Sequence, residues 1–154
     1  MIDLTVLIAT HNGENVVGRT LEGYCDVCKQ DEDWKLVIIN NASTDRTAEI
    51  LKSYESRLPM TVLNVADPGK STALNAGLKH IEGDLIILSD DDSIPQPGFL
   101  NQWRETSKHH PEFDVIGGSI HLVFDVEPPT WFLNEQLHFE ELYADRETVP
   151  AGPI

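Results

Sequence analysis

Apolar runs of strand length alternate with segments of helical spacing from the first residue to about Phe124, and this alternation constrains the chain more than any other feature. Repetition of strand, helix and apolar strand is the signature of a parallel sheet with helices on its faces. We place strands at residues 3–10, 34–40, 60–65, 84–89 and 115–123. These runs are rich in Val, Ile and Leu, as strands covered on both sides must be. Helical spacing falls at residues 14–29, 45–56, 72–80 and 97–109. In Ser43-Thr-Asp-Arg-Thr-Ala-Glu49, hydroxyl and carboxylate oxygens suit the free N–H groups of a helix start. Pro97 suits the first turn of the fourth helix.

A chain of 154 residues, 40% of them hydrophobic, buries one core, so one domain is expected. The texture changes after Val126 to Glu127-Pro-Pro-Thr-Trp-Phe132, then a short amphipathic stretch, then Val149-Pro-Ala-Gly-Pro-Ile154. We therefore read residues 1–126 as an α/β domain and 127–154 as a connecting arm. Because Gly152-Pro-Ile154 starts a turn, the arm is expected to lead into a further region. Pro128, Pro129, Trp131 and Phe132 would meet a partner or membrane surface, or pack back onto the sheet.

Charge narrows the ligand. Eleven basic and 26 acidic residues give a net charge of −15, which repels a phosphate backbone and leaves no basic stripe for nucleic acid. A small anionic ligand is compatible with this charge when a divalent cation or backbone N–H groups shield it. Residues 1–10 read as a strand and not a signal peptide, since no basic leader or cleavage site accompanies them. No apolar run approaches the roughly 20 residues of a membrane-spanning helix. The expected location is cytoplasmic, with the inner membrane face as a peripheral alternative. Cys25 and Cys28 have C-x-x-C spacing, but without a second pair they read as ordinary thiols late in a helix.

In an open α/β sheet, ligands bind beyond the carboxyl ends of the strands. Polar residues collect there: Thr10-His-Asn-Gly-Glu14 after the first strand, Asn40-Asn-Ala-Ser-Thr-Asp45 after the second, Asp67-Pro-Gly-Lys-Ser71 after the third and Ser89-Asp-Asp-Asp92 after the fourth. The acidic triplet is the most specific of these. Carboxylates about 4 Å apart repel by about 1 kcal/mol in water and about 4 kcal/mol near a protein surface. A cation relieves that repulsion, and hard carboxylate oxygens suit Mg²⁺ or Mn²⁺, which are often completed by substrate phosphates. Read alone, the triplet is also compatible with a solvated acidic turn.

Other nucleotide motifs fail. Gly69-Lys-Ser71 lacks the earlier P-loop glycine, since Asn64 stands at that position, and no G-x-G-x-x-G follows a strand. A phosphoacceptor of the receiver type needs acidic residues after the first strand, where His11-Asn12 stand. His80, His109, His110, His121 and His138 have no ligand spacing with the triplet.

Taken in order, Val6-Leu-Ile-Ala-Thr-His-Asn-Gly-Glu14, Ile39-Asn-Asn-Ala-Ser-Thr-Asp45, Gly69-Lys-Ser-Thr-Ala-Leu-Asn-Ala-Gly77 and Gly83-Asp-Leu-Ile-Ile-Leu-Ser-Asp-Asp-Asp92 resemble the family 2 glycosyltransferases over about the first 120 residues. The resemblance implies a Rossmann-like, mostly parallel sheet of the A-type glycosyltransferase fold. It also implies an Asp-x-Asp motif with Mn²⁺ or Mg²⁺, a nucleotide-diphosphate sugar donor, and inverting transfer to a saccharide or lipid-linked acceptor. By that likeness Thr10, Asn12 and Glu14 line the nucleotide pocket, Asn40 and Ser43 sit near the base, and Lys70 and Asn75 flank the donor phosphates. Asp90 and Asp91 approach the nucleotide, Asp90 also meets the metal or its water, and Asp92 ligates the metal.

The chain departs from the family pattern in two respects. Asn40 stands where the family often has Asp, which bears on the base selected. The family's general base, an Asp or Glu that takes the acceptor hydroxyl proton, is expected beyond Ile154. A sugar nucleotidyltransferase shares such a sheet and metal, although His11-Asn-Gly-Glu14 is a poor match to its basic glycine-rich loop. A non-catalytic nucleotide- or metal-binding module is the other alternative.

Overall fold

The computed structural model describes residues 1–27 and 33–129. Four strands, β1 (Leu4–Thr10), β2 (Trp34–Asn41), β3 (Met60–Val65) and β4 (Leu85–Asp90), form one sheet in the order β3-β2-β1-β4. All three pairings are parallel, in registers that set Leu4 beside Trp34 and Leu85, and Leu36 beside Met60. Four helices connect or follow them: α1 (Val17–Val27), α2 (Thr47–Tyr54), α3 (Lys70–Gly77), extended by a 3-10 turn at Leu78–His80, and α4 (Phe99–His109).

Side chains alternate across a strand, so β1 supplies two cores. Leu4, Val6 and Ile8 face one side with Leu36 and Ile38, against Val17 and Leu21 of α1, Leu51 of α2 and Leu100 of α4. Leu7 faces the other side with Val37 and Ile39, beneath Ala73 of α3. β1 is central and covered on both faces, which explains its nearly unbroken apolar sequence. Gly77 lets α3 approach closely: a Cβ there would lie 2.5 Å from Leu7 Cδ1 and 2.7 Å from Ile39 Cδ1.

The four strands and four helices stand where the sequence pattern puts them, with shifted ends. α3 begins two residues early, at Lys70. α4 begins at Phe99, because Gly98 takes a left-handed conformation (φ 80°) that separates Pro97 from the first helical turn. The expected fifth strand at residues 115–123 forms no ladder among the described residues, where Ile120 makes an isolated bridge. Gly117-Gly118 interrupts the run with no side chain to pack, and a Cβ on Gly117 would meet nothing within 4 Å. The chain divides into two compact units, Met1–Pro111 and Glu112–Ile154. Most of the expected connecting arm, including Trp131 and Phe132, lies outside the described residues, as does Cys28. Cys25 is buried in α1.

Candidate active site

Register brings the polar strand ends to one rim. Thr10 pairs with Asn40, Asn40 with Asn64, and Ala9 with Asp90, so the carboxyl ends of all four strands finish side by side. An open hollow of about 540 Å³ lies elsewhere, lined by Met1, Ile2, Asp3, Glu82, Gly83 and Asp84 at the opposite ends of β1 and β4.

The loops after β1 and β2 are joined by reciprocal hydrogen bonds. The Asn12 N–H donates to Ser43 Oγ at 3.0 Å, and Asn12 Oδ1 accepts from the Thr44 N–H at 2.8 Å. Asp45 Oδ2 accepts from the Glu14 N–H at 3.1 Å, while Glu14 Oε2 accepts from the Arg46 N–H at 3.2 Å. Asp45 Oδ1 accepts from the Thr47 N–H at 3.0 Å, giving α2 the carboxylate start expected from its sequence. Asn12 and Ala42 both adopt left-handed backbone, with φ of 51° and 52°. His11 Nδ1 donates to the Asn41 carbonyl at 2.6 Å, and its Nε2 lies 3.2 Å from Asn12 Nδ2, an arrangement that suits the neutral tautomer protonated on Nδ1.

Asn41 was assigned no role from the sequence, yet its side chain organises the approach to α3. Its Nδ2 donates to the carbonyls of Val65 and Asp67 at 3.2 and 2.7 Å, and its Oδ1 accepts from the Gly69 N–H at 2.7 Å. The doubled Asn after an apolar strand was the available signal. Its neighbour Asn40 is buried, donates from Nδ2 to Asn64 Oδ1 at 2.9 Å, and has no partner for Oδ1 among the described residues.

Lys70, the first residue of α3, forms an ion pair with Asp90 at the tip of β4. That hydrogen bond holds the Lys70 ammonium above its ordinary value, against partial desolvation, with added attraction from the charges of Asp90, Asp91 and Asp92. The three aspartates then diverge. Asp91 Oδ2 accepts from Thr10 Oγ1 at 2.5 Å, and its carbonyl accepts from Thr20 Oγ1 at 2.7 Å. Asp92 is exposed. Asn75 is exposed on α3.

Among the described residues, no group of three or more His, Cys, Asp or Glu side chains is arranged to hold a metal ion. Asp90 and Asp92 supply hard, exposed carboxylate oxygens from one tight turn, closed by the Ser93 N–H to the Asp90 carbonyl at 3.2 Å. That donor set fits a Mg²⁺ or Mn²⁺ ion completed by ligand phosphates and water better than an all-protein cage.

The parallel sheet, its flanking helices and the polar rim at its carboxyl edge define an A-type glycosyltransferase fold. The chain belongs to glycosyl transferase family 2, whose family model matches residues 5–151. It is 30% identical over 98 residues to "Probable glycosyltransferase YdaM" of Bacillus subtilis, covering 60% of this chain and 23% of that protein. It is 24% identical over 127 residues to a dolichyl N-acetyl-alpha-D-glucosaminyl phosphate 3-beta-D-2,3-diacetamido-2,3-dideoxy-beta-D-glucuronosyltransferase of Methanococcus voltae, covering 78% of this chain and 40% of that protein. Among solved structures, S. aureus TarS 1–349 in complex with UDP-GlcNAc superposes with a TM-score of 0.62 at 25% identity, covering 71% of this chain and 32% of that one. The mannosyltransferase PcManGT from Pyrobaculum calidifontis, in complex with GDP-Man and Mn²⁺, shares the fold with a TM-score of 0.59 at 22% identity, covering 65% and 31%. The chain thus spans less than half the length of each of these proteins. No helix among the described residues is long and apolar enough to cross a membrane.

Proposed function

We propose that this chain is the donor-binding part of a metal-dependent glycosyltransferase that uses a nucleotide-diphosphate sugar. The carrying observation is the pair of exposed carboxylates, Asp90 and Asp92, at the tip of β4, on the same rim as Thr10 and Asn40 and in a chain of this family. Support for the donor class comes from the TarS complex with UDP-GlcNAc, and for the cation from the PcManGT complex with GDP-Man and Mn²⁺.

On this reading Asp90 and Asp92 form an Asp-x-Asp motif holding Mn²⁺ or Mg²⁺ against the donor diphosphate. When bound, the cation supplies Lewis-acid stabilisation to charge gathering on the departing diphosphate. Lys70, already ionised beside Asp90, adds a second positive charge next to the phosphates. Asn40 sits near the base on the family resemblance, on the rim beside Thr10 and Asn64. Asn12, Glu14 and Ser43 hold the two loops that frame the nucleotide, and Thr10 lies at their floor. Asn75 is directed to the phosphate side by the family resemblance. We assign residues 1–126 to donor binding and 127–154 to the arm leading towards the acceptor region. Transfer to a saccharide or lipid-linked acceptor would be inverting, with an Asp or Glu general base taking the acceptor hydroxyl proton.

Calorimetry tests this reading. UDP or GDP should bind the 154-residue chain in the presence of Mn²⁺ or Mg²⁺. Binding should fail with a chelator and in Asp92→Ala. Nucleotide affinity that is indifferent to chelator refutes the metal assignment.

A further inference from the structure

We propose that Asp91, the middle residue of the acidic triplet, is a positioning residue: it pins the turn to β1 and α1 so that Asp90 and Asp92 are the carboxylates presented to the ligand. The proposal rests on the donor-binding reading above and divides the labour within it.

Four contacts carry it. The Asp91 carboxylate accepts the Thr10 hydroxyl at 2.5 Å and its carbonyl accepts the Thr20 hydroxyl at 2.7 Å. Both threonines are buried, at 2% and 1% exposure, so these hydroxyls face the turn in place of water. Gly13 closes over the pair: a Cβ there would lie 2.3 Å from Thr10 Oγ1 and 2.9 Å from Asp91 Oδ2. Further along, Gly23 of α1 seats Ile94 and Pro95, where a Cβ would fall 2.8 Å from Ile94 Cγ2 and 3.1 Å from Pro95 Cδ. Asp91 is thereby drawn into the framework, whereas Asp90 and Asp92 on either side of it are exposed.

The two roles differ in chemistry. A residue that holds a hydroxyl needs only an oxygen acceptor, which an amide supplies as well as a carboxylate. A residue that holds a divalent ion needs the negative charge. Asp91→Asn should therefore retain most of the function that Asp91→Ala loses, while Asp92→Asn should behave like Asp92→Ala.

The test uses the whole chain in two measurements. In amide hydrogen exchange without ligand, Asp91→Ala and Thr10→Val should lose protection across residues 90–95, while Asp91→Asn, Thr10→Ser and Asp92→Asn keep it. In calorimetry with UDP and Mn²⁺, Asp91→Ala and Thr10→Val should bind about ten- to a hundredfold more weakly, as expected for loss of an outer support of a metal ligand. Asp91→Asn should stay near wild type, and Asp92→Asn should fail to bind, as Asp92→Ala does. Unchanged exchange in both Asp91→Ala and Thr10→Val overturns the proposal. So does an Asp91→Asn protein that binds as poorly as Asp92→Asn, since Asp91 would then act by charge. If wild type binds neither UDP nor GDP with Mn²⁺, the donor reading fails, and the exchange pattern alone decides whether Asp91 anchors the turn.

Discussion

Gly83 sits just before β4 with φ of 82°, where an L side chain is strained and the neighbouring backbone leaves no room. A Cβ there would lie 2.3 Å from the Asp3 carbonyl carbon and 2.4 Å from its oxygen, atoms that cannot swing aside as a side-chain end can. That oxygen accepts the N–H groups of Asp84 and Leu85 at 3.1 and 3.2 Å, the bonds that start the β1–β4 ladder. In Gly83→Ala, left-handed backbone costs about 1–2 kcal/mol. Displacing Asp3 weakens two hydrogen bonds of about 1 kcal/mol each, and the stiffer unfolded chain returns about 0.4–1 kcal/mol. The expected net loss is about 2–3 kcal/mol, read as a lower urea midpoint with unchanged slope. Because Gly83 lies at the end of the sheet opposite the rim, nucleotide affinity of the folded variant should match wild type. A stability loss under about 0.5 kcal/mol, the range of ordinary surface changes, refutes the close-approach argument.

Other substitutions probe the rim. Ala42 has φ of 52°, so Ala42→Gly should leave thermal stability unchanged or raise it by up to about 1 kcal/mol; a clear loss would show that the methyl group packs usefully. Asn41→Ala removes three hydrogen bonds around the β3–α3 loop and should cost about 2–3 kcal/mol in denaturant unfolding, with weaker nucleotide binding through misplacement of Lys70. For Asp45, burial raises the carboxyl, but bonds from the Thr47 hydroxyl and the Thr47 and Glu14 N–H groups outweigh it and hold the value below 3.8. A depressed folded value means the stabilisation is present above the unfolded value and lost as pH falls through the folded one. The stability gap between wild type and Asp45→Ala should accordingly be constant near neutrality and close below about pH 4; a gap that widens in acid contradicts the assignment.

The strand and helix sequence was legible because each element carries its own period: β1 and β2 are apolar on both faces, and α1 to α4 each bury residues on one side. The run at 115–123 misled because β-branched composition predicts fitness for a sheet and not a partner, and Gly117-Gly118 weakens it from within. The candidate rim was legible for a related reason. Parallel strands all end on one edge, so residues far apart in the chain meet there without any contact having to be foreseen.

How those rim residues are used is a different matter. Three identical aspartates in a row hold no information about which is paired with Lys70, which is drawn onto Thr10 and which is left exposed, since the partners come from β1, α1 and α3. The same holds for Asn41, whose bridging of Val65, Asp67 and Gly69 depends on β2 lying beside β3. The alternation of strand and helix, the parallel sheet and the collection of polar strand ends were determined by the sequence alone, because periodicity and burial are properties of short segments. The division of roles among neighbouring side chains was decided only by tertiary structure, because a hydrogen bond of 2.5 Å joins residues 81 positions apart and depends on the packing of everything between them.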